Sequence, residues 1–322
     1  MRKVKMPLLA LKRHEKAFAT YVEDGLKRLL NSYRCNNAYC EYLRCLMINP
    51  NDSSKKRSIV IRNVKDLASV VNAVDLVKVK YHPRGGWAKL EQSLKKLFNY
   101  TYRFVKGHNS EKWDSGQYIK MMIEKGLAYC PYCNRHELEA YTTSDGKSHK
   151  GPLDHFYDKD RYPYLALSIY NLIPACDSCN HEKLTVQTSL ISHSHPFYDD
   201  FHELVAFSVL DPLTALYGNQ TRCEVELCSK RKKRSSAAEK LASDIELVIR
   251  YNAEDGGRVA HDILKKGVRY RGWTINNYRK LAKMKRMSLD EIYVDEFGVK
   301  SDGSDINLQP YGKLRNDLMP VV

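Results

Sequence analysis

Two Cys-x-x-Cys pairs, Cys130/Cys133 in CPYC and Cys176/Cys179 in CDSC, bracket residues 134–175. Each pair bites one ion from two sides of a tight turn, and four thiolates complete a tetrahedral zinc site. A thiol–disulfide enzyme needs one such pair at a helix start, and a disulfide framework belongs to an oxidising compartment. Two pairs of matched spacing therefore predict structural Zn²⁺. Their separation exceeds that of a simple zinc ribbon, so a segment must be inserted between the knuckles. The other five of the nine cysteines, Cys35, Cys40, Cys45, Cys223 and Cys228, do not cluster and read as buried thiols.

Charge divides the chain. Residues 1–129 hold 26 Lys and Arg against 11 Asp and Glu, residues 130–229 hold 7 against 14, and residues 230–286 hold 17 against 6. An acidic centre suits a cation site and basic flanks suit a polyanion such as nucleic acid, although a solvated surface carries the same charge. The opening MRKVKMPLLAL has too short an apolar run for a signal peptide, and no run is long enough to span a membrane. The expectation is a soluble, cytoplasmic protein.

Periodicity predicts helices over 11–33, 64–79, 87–105 and 115–126, with loops at 50–58 and 82–86. In the centre, strands are expected over 136–142 and 149–155 around an Asp145-Gly146 turn. A further short strand or turn is expected in SIYNLIPAC, and a helix from CDSCNHEK. Strands at ELVAFSVL and TRCEVELC follow, then helices over 237–251, 256–267, 274–285 and 288–295 and an irregular tail. The fold class is α+β, a mainly helical protein around a small zinc-stabilised core. Three regions are expected: a basic helical region 1–112, the core 113–202, and a C-terminal region 203–322 of a short hairpin and basic helices.

Between and beside the knuckles stand Asp154, His155, Asn171 and Asn180. With CPYC, LDHF and YNLIPACDSCNHEK in this order, the chain resembles the HNH (ββα-metal, or His-Me finger) endonucleases. The longer pattern LDHFYDKDRYPYLALSIYNLIPAC is similar to a bacterial branch that includes the PtuB-like nucleases. The resemblance covers residues 113–202 well and the last third loosely, and does not reach 1–112. It implies a ββα-metal core, cleavage of DNA (with RNA left open) and a role in anti-phage defence beside an ATPase partner subunit. A free-standing or retron-linked nuclease fits equally.

The chemistry explains the residue types. Neutral His155 is the candidate general base, and Asn171 orients it directly or by fixing the loop. Asp154 and Asn180 offer hard oxygen ligands to one Mg²⁺ or Mn²⁺, with His181 the competitor of Asn180. Lys183 is the candidate phosphate contact. The alternative is a zinc-containing subunit that binds nucleic acid or protein, its cleavage absent or held off until a partner docks. Three further features stand apart from this motif. HSHPFYDDFH (His193, His195, His202) reads as packing before a second metal site. KRKKR at 230–234 reads as a phosphate-contacting or solvated loop. Trp273 and Tyr278 read as base-stacking or core residues.

Overall fold

The computed structural model describes residues 1–34, 36–48, 57–83, 86–142, 144, 148–218, 220–270 and 275–319. Cys35, the Asp145-Gly146 turn, Trp273 and most of the two expected loops lie outside the described residues.

The N-terminal region is helical, as its periodicity predicts. Helix α1 (Leu8–Ser32) buries His14, Ala17, Phe18, Val22, Gly25 and Leu26, a stripe of three- and four-residue steps. A Cβ at Gly25 would overlap the Leu97 side chain, so glycine permits the close approach there. Helices α2 (Asn37–Met47) and α3 (Val64–Lys80) start where the Asn36 and Asn63 side chains accept the amides of Tyr39 and Asp66, satisfying donors that a helix start leaves orphaned. The expected helix over 87–105 is two pieces, α4 (Ala88–Leu97) and a single π turn at Thr101–Val105. Helix α5 (Ser115–Glu124) is capped by Asp114. The chain then leaves through Gly126 at φ +99°, a conformation open chiefly to glycine.

The centre is built from two-stranded sheets. β1 (Ala140–Thr142) pairs with β2 (Ser148–Lys150), and β3 (Leu153–His155) pairs antiparallel with β4 (Leu172–Pro174), placing His155 opposite Leu172. The expected strand over 149–155 is therefore interrupted. Pro152 has no N–H for a ladder, and the chain changes partner there. Helix α6 (Asp177–Glu182) follows β4 directly.

The C-terminal region opens with α7 (Phe201–Leu204) and β5 (Val205–Val209), continues through α8 (Pro212–Tyr217), and closes the hairpin with β6 (Val225–Ser229). The single helix expected over 237–251 is broken into α9 (Ser235–Asp244) and α10 (Leu247–Ala253) by Glu246 at φ +50°. Helices α11 (Gly256–Arg269), α12 (Ile275–Lys285) and α13 (Leu289–Phe297) follow. The tail is more ordered than its composition suggests, ending in α14 (Gly312–Leu318).

One apolar cluster runs from Met1 to Leu314 and draws on all three regions. A smaller one sits among α11, α12 and α13, where Tyr278 stacks on Tyr293 at 5.1 Å. Tyr278 is thus a core residue. Cys40 and Cys223 are buried thiols as expected, whereas Cys45 is half-buried and Cys228, on β6, is exposed. No described helix is long and apolar enough to cross a membrane.

His14 ties α1 to the centre. Its Nε2 lies 2.7 Å from the Leu167 carbonyl and its Nδ1 accepts the Trp113 indole N–H at 3.2 Å. Protonation would set two donors against each other across the Trp113 contact, and burial lowers the His14 pKa to about 4. The folded pKa lies below the unfolded one, so the stabilisation is complete above pH 6.5 and is lost as pH falls toward 4. We expect urea midpoints at pH 4 to fall below those at pH 7, with His14 contributing on the order of 3 kcal/mol. A His14→Gln protein should show a flatter profile over that window, and an equally steep one would exclude His14 as the source.

Candidate functional site

The sulfurs of Cys130, Cys133, Cys176 and Cys179 lie within 4.8 Å of one another, all on buried residues. The Cys133 and Cys176 sulfurs are 3.8 Å apart, matching the edge of about 3.8 Å that Zn–S bonds of about 2.3 Å give a tetrahedron. Burial pushes the Cys130 thiol up, while hydrogen bonds from Cys130 lower Cys133 and Cys176. The cluster fits a structural zinc, the group that the cysteine spacing predicts.

The knuckles are held from far along the chain. Arg250 on α10 points Nη1 at the Cys179 sulfur, 3.4 Å away, and Nη2 at the Ser178 hydroxyl at 2.6 Å. Its cation would face the net negative charge of a four-thiolate zinc site. The Tyr251 hydroxyl donates to the Cys133 carbonyl at 2.6 Å. Asn134, at φ +55°, donates to the Ile306 carbonyl and accepts the Lys313 amide. The first knuckle is thereby clamped to the tail.

Asp154 and Lys183 are not placed as expected. The Lys183 ammonium sits 2.5 Å from Asp154 Oδ2, and the Tyr132 hydroxyl donates to the same oxygen at 2.6 Å. The side chains of Lys183 and Asp154 are only 2% and 6% exposed. Lys183 lies in a 3₁₀ turn that continues α6 and is directed inward, so it is a core ion-pair partner here rather than a phosphate contact. As arranged, Asp154 does not fit a divalent cation, because the ammonium already supplies its counter-charge. Among the described residues, the four cysteines form the one group of three or more His, Cys, Asp or Glu able to share an ion.

His155 lies at the end of β3. Its Nε2 is 3.2 Å from the Ala166 carbonyl, which can only accept, so Nε2 carries the proton and Nδ1 of the neutral ring keeps a free lone pair. Burial, opposed by that carbonyl, lowers its pKa to about 4, leaving the ring neutral at pH 7. The edge of Tyr100 packs against it, with ring centroids 4.6 Å apart.

Among the described residues, the Asn171 side chain hydrogen-bonds to Tyr157 and Leu165 rather than to His155. Its Oδ1 accepts the Tyr157 amide at 2.7 Å, and its Nδ2 donates to the carbonyls of Tyr157 and Leu165. It pins the 156–171 loop, whose Ala166 carbonyl faces His155. Asn180 is half-buried on α6 and its neighbour His181 is exposed. Tyr132 lies inside CPYC, where only the cysteines carried a signal. Tyr100 and Arg250 come from regions with no local signal.

The remaining motifs serve the fold. His195 packs on Phe156 and Phe197, with centroids at 4.2 and 5.9 Å, while His193 Nε2 meets Asp244 at 2.7 Å. In KRKKR, Arg234 holds Asp199 with two bonds, Lys230 donates to the His202 carbonyl, and Lys232 pairs with Glu203. Among the described residues, Arg231 and Lys233 of the five have no such tether. No protein-family model, curated protein or solved structure matches the chain.

Proposed function

We propose that the protein is an HNH-type endonuclease that hydrolyses phosphodiester bonds, with DNA as its substrate. The observation that carries this reading is His155, a neutral imidazole whose Nε2 proton is fixed on a backbone carbonyl and whose Nδ1 is free to take a proton. Supporting it are a β3–β4 pair joined by a loop that Asn171 pins, α6 directly after β4, and a four-cysteine cluster suited to zinc.

In this reading His155 Nδ1 takes a proton from the attacking water, and Asn171 maintains the carbonyl that fixes its tautomer. The Asp154–Lys183 pair and the zinc cluster hold β3 and α6 in register. The family uses a divalent cation at the leaving oxygen and leaves 5′-phosphate and 3′-hydroxyl ends. Asp154 is engaged by Lys183, so its carboxylate is not free to hold that cation in this arrangement. The same pairing favours the second reading, a nuclease held off until a partner docks. The ATPase partner and the anti-phage role follow from the resemblance of the LDHF–NLIPAC segment.

The test is plasmid cleavage by zinc-loaded protein with Mg²⁺, Mn²⁺ or EDTA, beside His155→Ala. Loss of a general base should slow cutting by about 10²–10⁴-fold with zinc content unchanged. Cutting that survives the substitution would remove His155 from the role. A folded, zinc-loaded wild type that cuts nothing would leave the held-off reading in place of the active one.

A further inference from the structure

Tyr100 and Ala166, which both touch the His155 ring, also line a cleft of about 220 Å³ between the N-terminal region and the centre. One wall is the end of α4 with Lys95, Phe98 and Asn99, and the other is the 159–166 loop with Lys159 and Asp160. Across the cleft the Asp160 carboxylate is shared. Lys95 Nζ lies 3.2 Å from one oxygen and Lys159 Nζ lies 3.7 Å from the other. The side chains of Lys95, Lys159 and Asp160 are 49%, 46% and 69% exposed.

Exposed pairs of this kind are weakly held, so a stronger anion can exchange with the carboxylate. A phosphodiester offers the same two-oxygen grip and keeps its charge at every pH of interest. Asp160 sits on a surface turn closed by its own amide on Asp158, so its side chain can move without disturbing β3. Lys159 also contributes to the lowered pKa of His155, which places it within electrostatic reach of the ring.

We infer that this cleft is a phosphate subsite. Lys95 and Lys159 hold a backbone phosphate of the strand presented to His155, and Asp160 is the internal anion that this phosphate displaces. The inference rests on the nuclease reading for the position of the cut, and it gives the N-terminal region a role as one wall of the substrate cleft.

The experiment is fluorescence anisotropy of a fluorescein-labelled 20-nucleotide single strand and its duplex. It uses the zinc-loaded full chain carrying His155→Ala, without added divalent cation, across a salt series. Lys95→Ala with Lys159→Ala should weaken binding by about tenfold and reduce the salt slope by about one per lysine. Asp160→Asn should tighten binding about threefold. Unchanged affinity and slope in the double alanine variant, weaker binding by Asp160→Asn, or no binding by the parent would each overturn the subsite. Lysine-dependent binding without cutting under any metal would remove the active nuclease in favour of the held-off reading and leave the subsite. Metal-dependent cutting by the wild type with lysine-independent binding would do the reverse.

Discussion

Removing zinc from the four-cysteine cluster is expected to unfold the centre of the molecule. Structural zinc binding contributes about 10–16 kcal/mol in small metal-dependent folds, against a total stability of about 5–15 kcal/mol for ordinary domains. Here the four cysteines belong to the main apolar cluster, and the knuckles anchor β3, β4 and α6 between segments 43 residues apart. Cys176→Ser should therefore lower the thermal midpoint by tens of degrees, because about 1 kcal/mol corresponds to a few degrees. The serine oxygen can still accept the Cys179 amide at the start of α6, so the loss reads the metal rather than the helix cap. The readouts are zinc stoichiometry by a chromophoric chelator and the thermal midpoint with and without chelation. Arg250→Ala should show a graded effect, faster zinc release by about 10–100-fold in a chain that still folds. A zinc-free protein with an unchanged midpoint would show that apolar packing alone holds the centre.

The parts of this architecture legible in the sequence are those fixed by near neighbours. Helical spacing over 11–33, 64–79 and 115–126 sets α1, α3 and α5, whereas α2, which Asn36 caps, has no counterpart among the expected helices. The cysteine spacing gives the cluster, and the run from LDHF to CDSC gives a strand, a strand and a helix. The misplaced features depend on distant partners. Nothing local tells Lys183 to turn toward Asp154, 29 residues earlier. Asn134 binds the tail more than 170 residues away, which is why residues 306–318 are ordered despite their loop-like composition. Glu246 takes a left-handed conformation that is uncommon outside glycine, so periodicity runs through the break between α9 and α10. Pro152 is a local cue to the split between β2 and β3, outweighed by the alternation around it.

The second large effect is expected from the Asp154–Lys183 pair. Successive residues of a strand face opposite sides, so on β3 Asp154 points to the Tyr132 and Lys183 side while His155 meets Tyr100 and Ala166. The ammonium lies 5.0 Å from the Tyr132 ring centre and 5.4 Å from that of Phe156, surroundings that stabilise a cation only while its carboxylate is present. Lys183→Met leaves a buried carboxylate with a phenol as its remaining partner. Asp154→Asn leaves a buried ammonium against a neutral amide. Breaking a buried pair from either side costs about 3–5 kcal/mol, whereas removing both charges is often near neutral. Urea unfolding of the zinc-loaded single and double variants should therefore give a coupling energy of several kcal/mol, the double lying closer to wild type than either single. Singles within about 1 kcal/mol of wild type would mean that water reaches the pair. The contrast with His155→Ala then separates the two faces of β3. One face should change stability and, through it, everything else, while the other, on the proposed nuclease reading, should change cleavage at a smaller cost in stability, about that of one lost hydrogen bond.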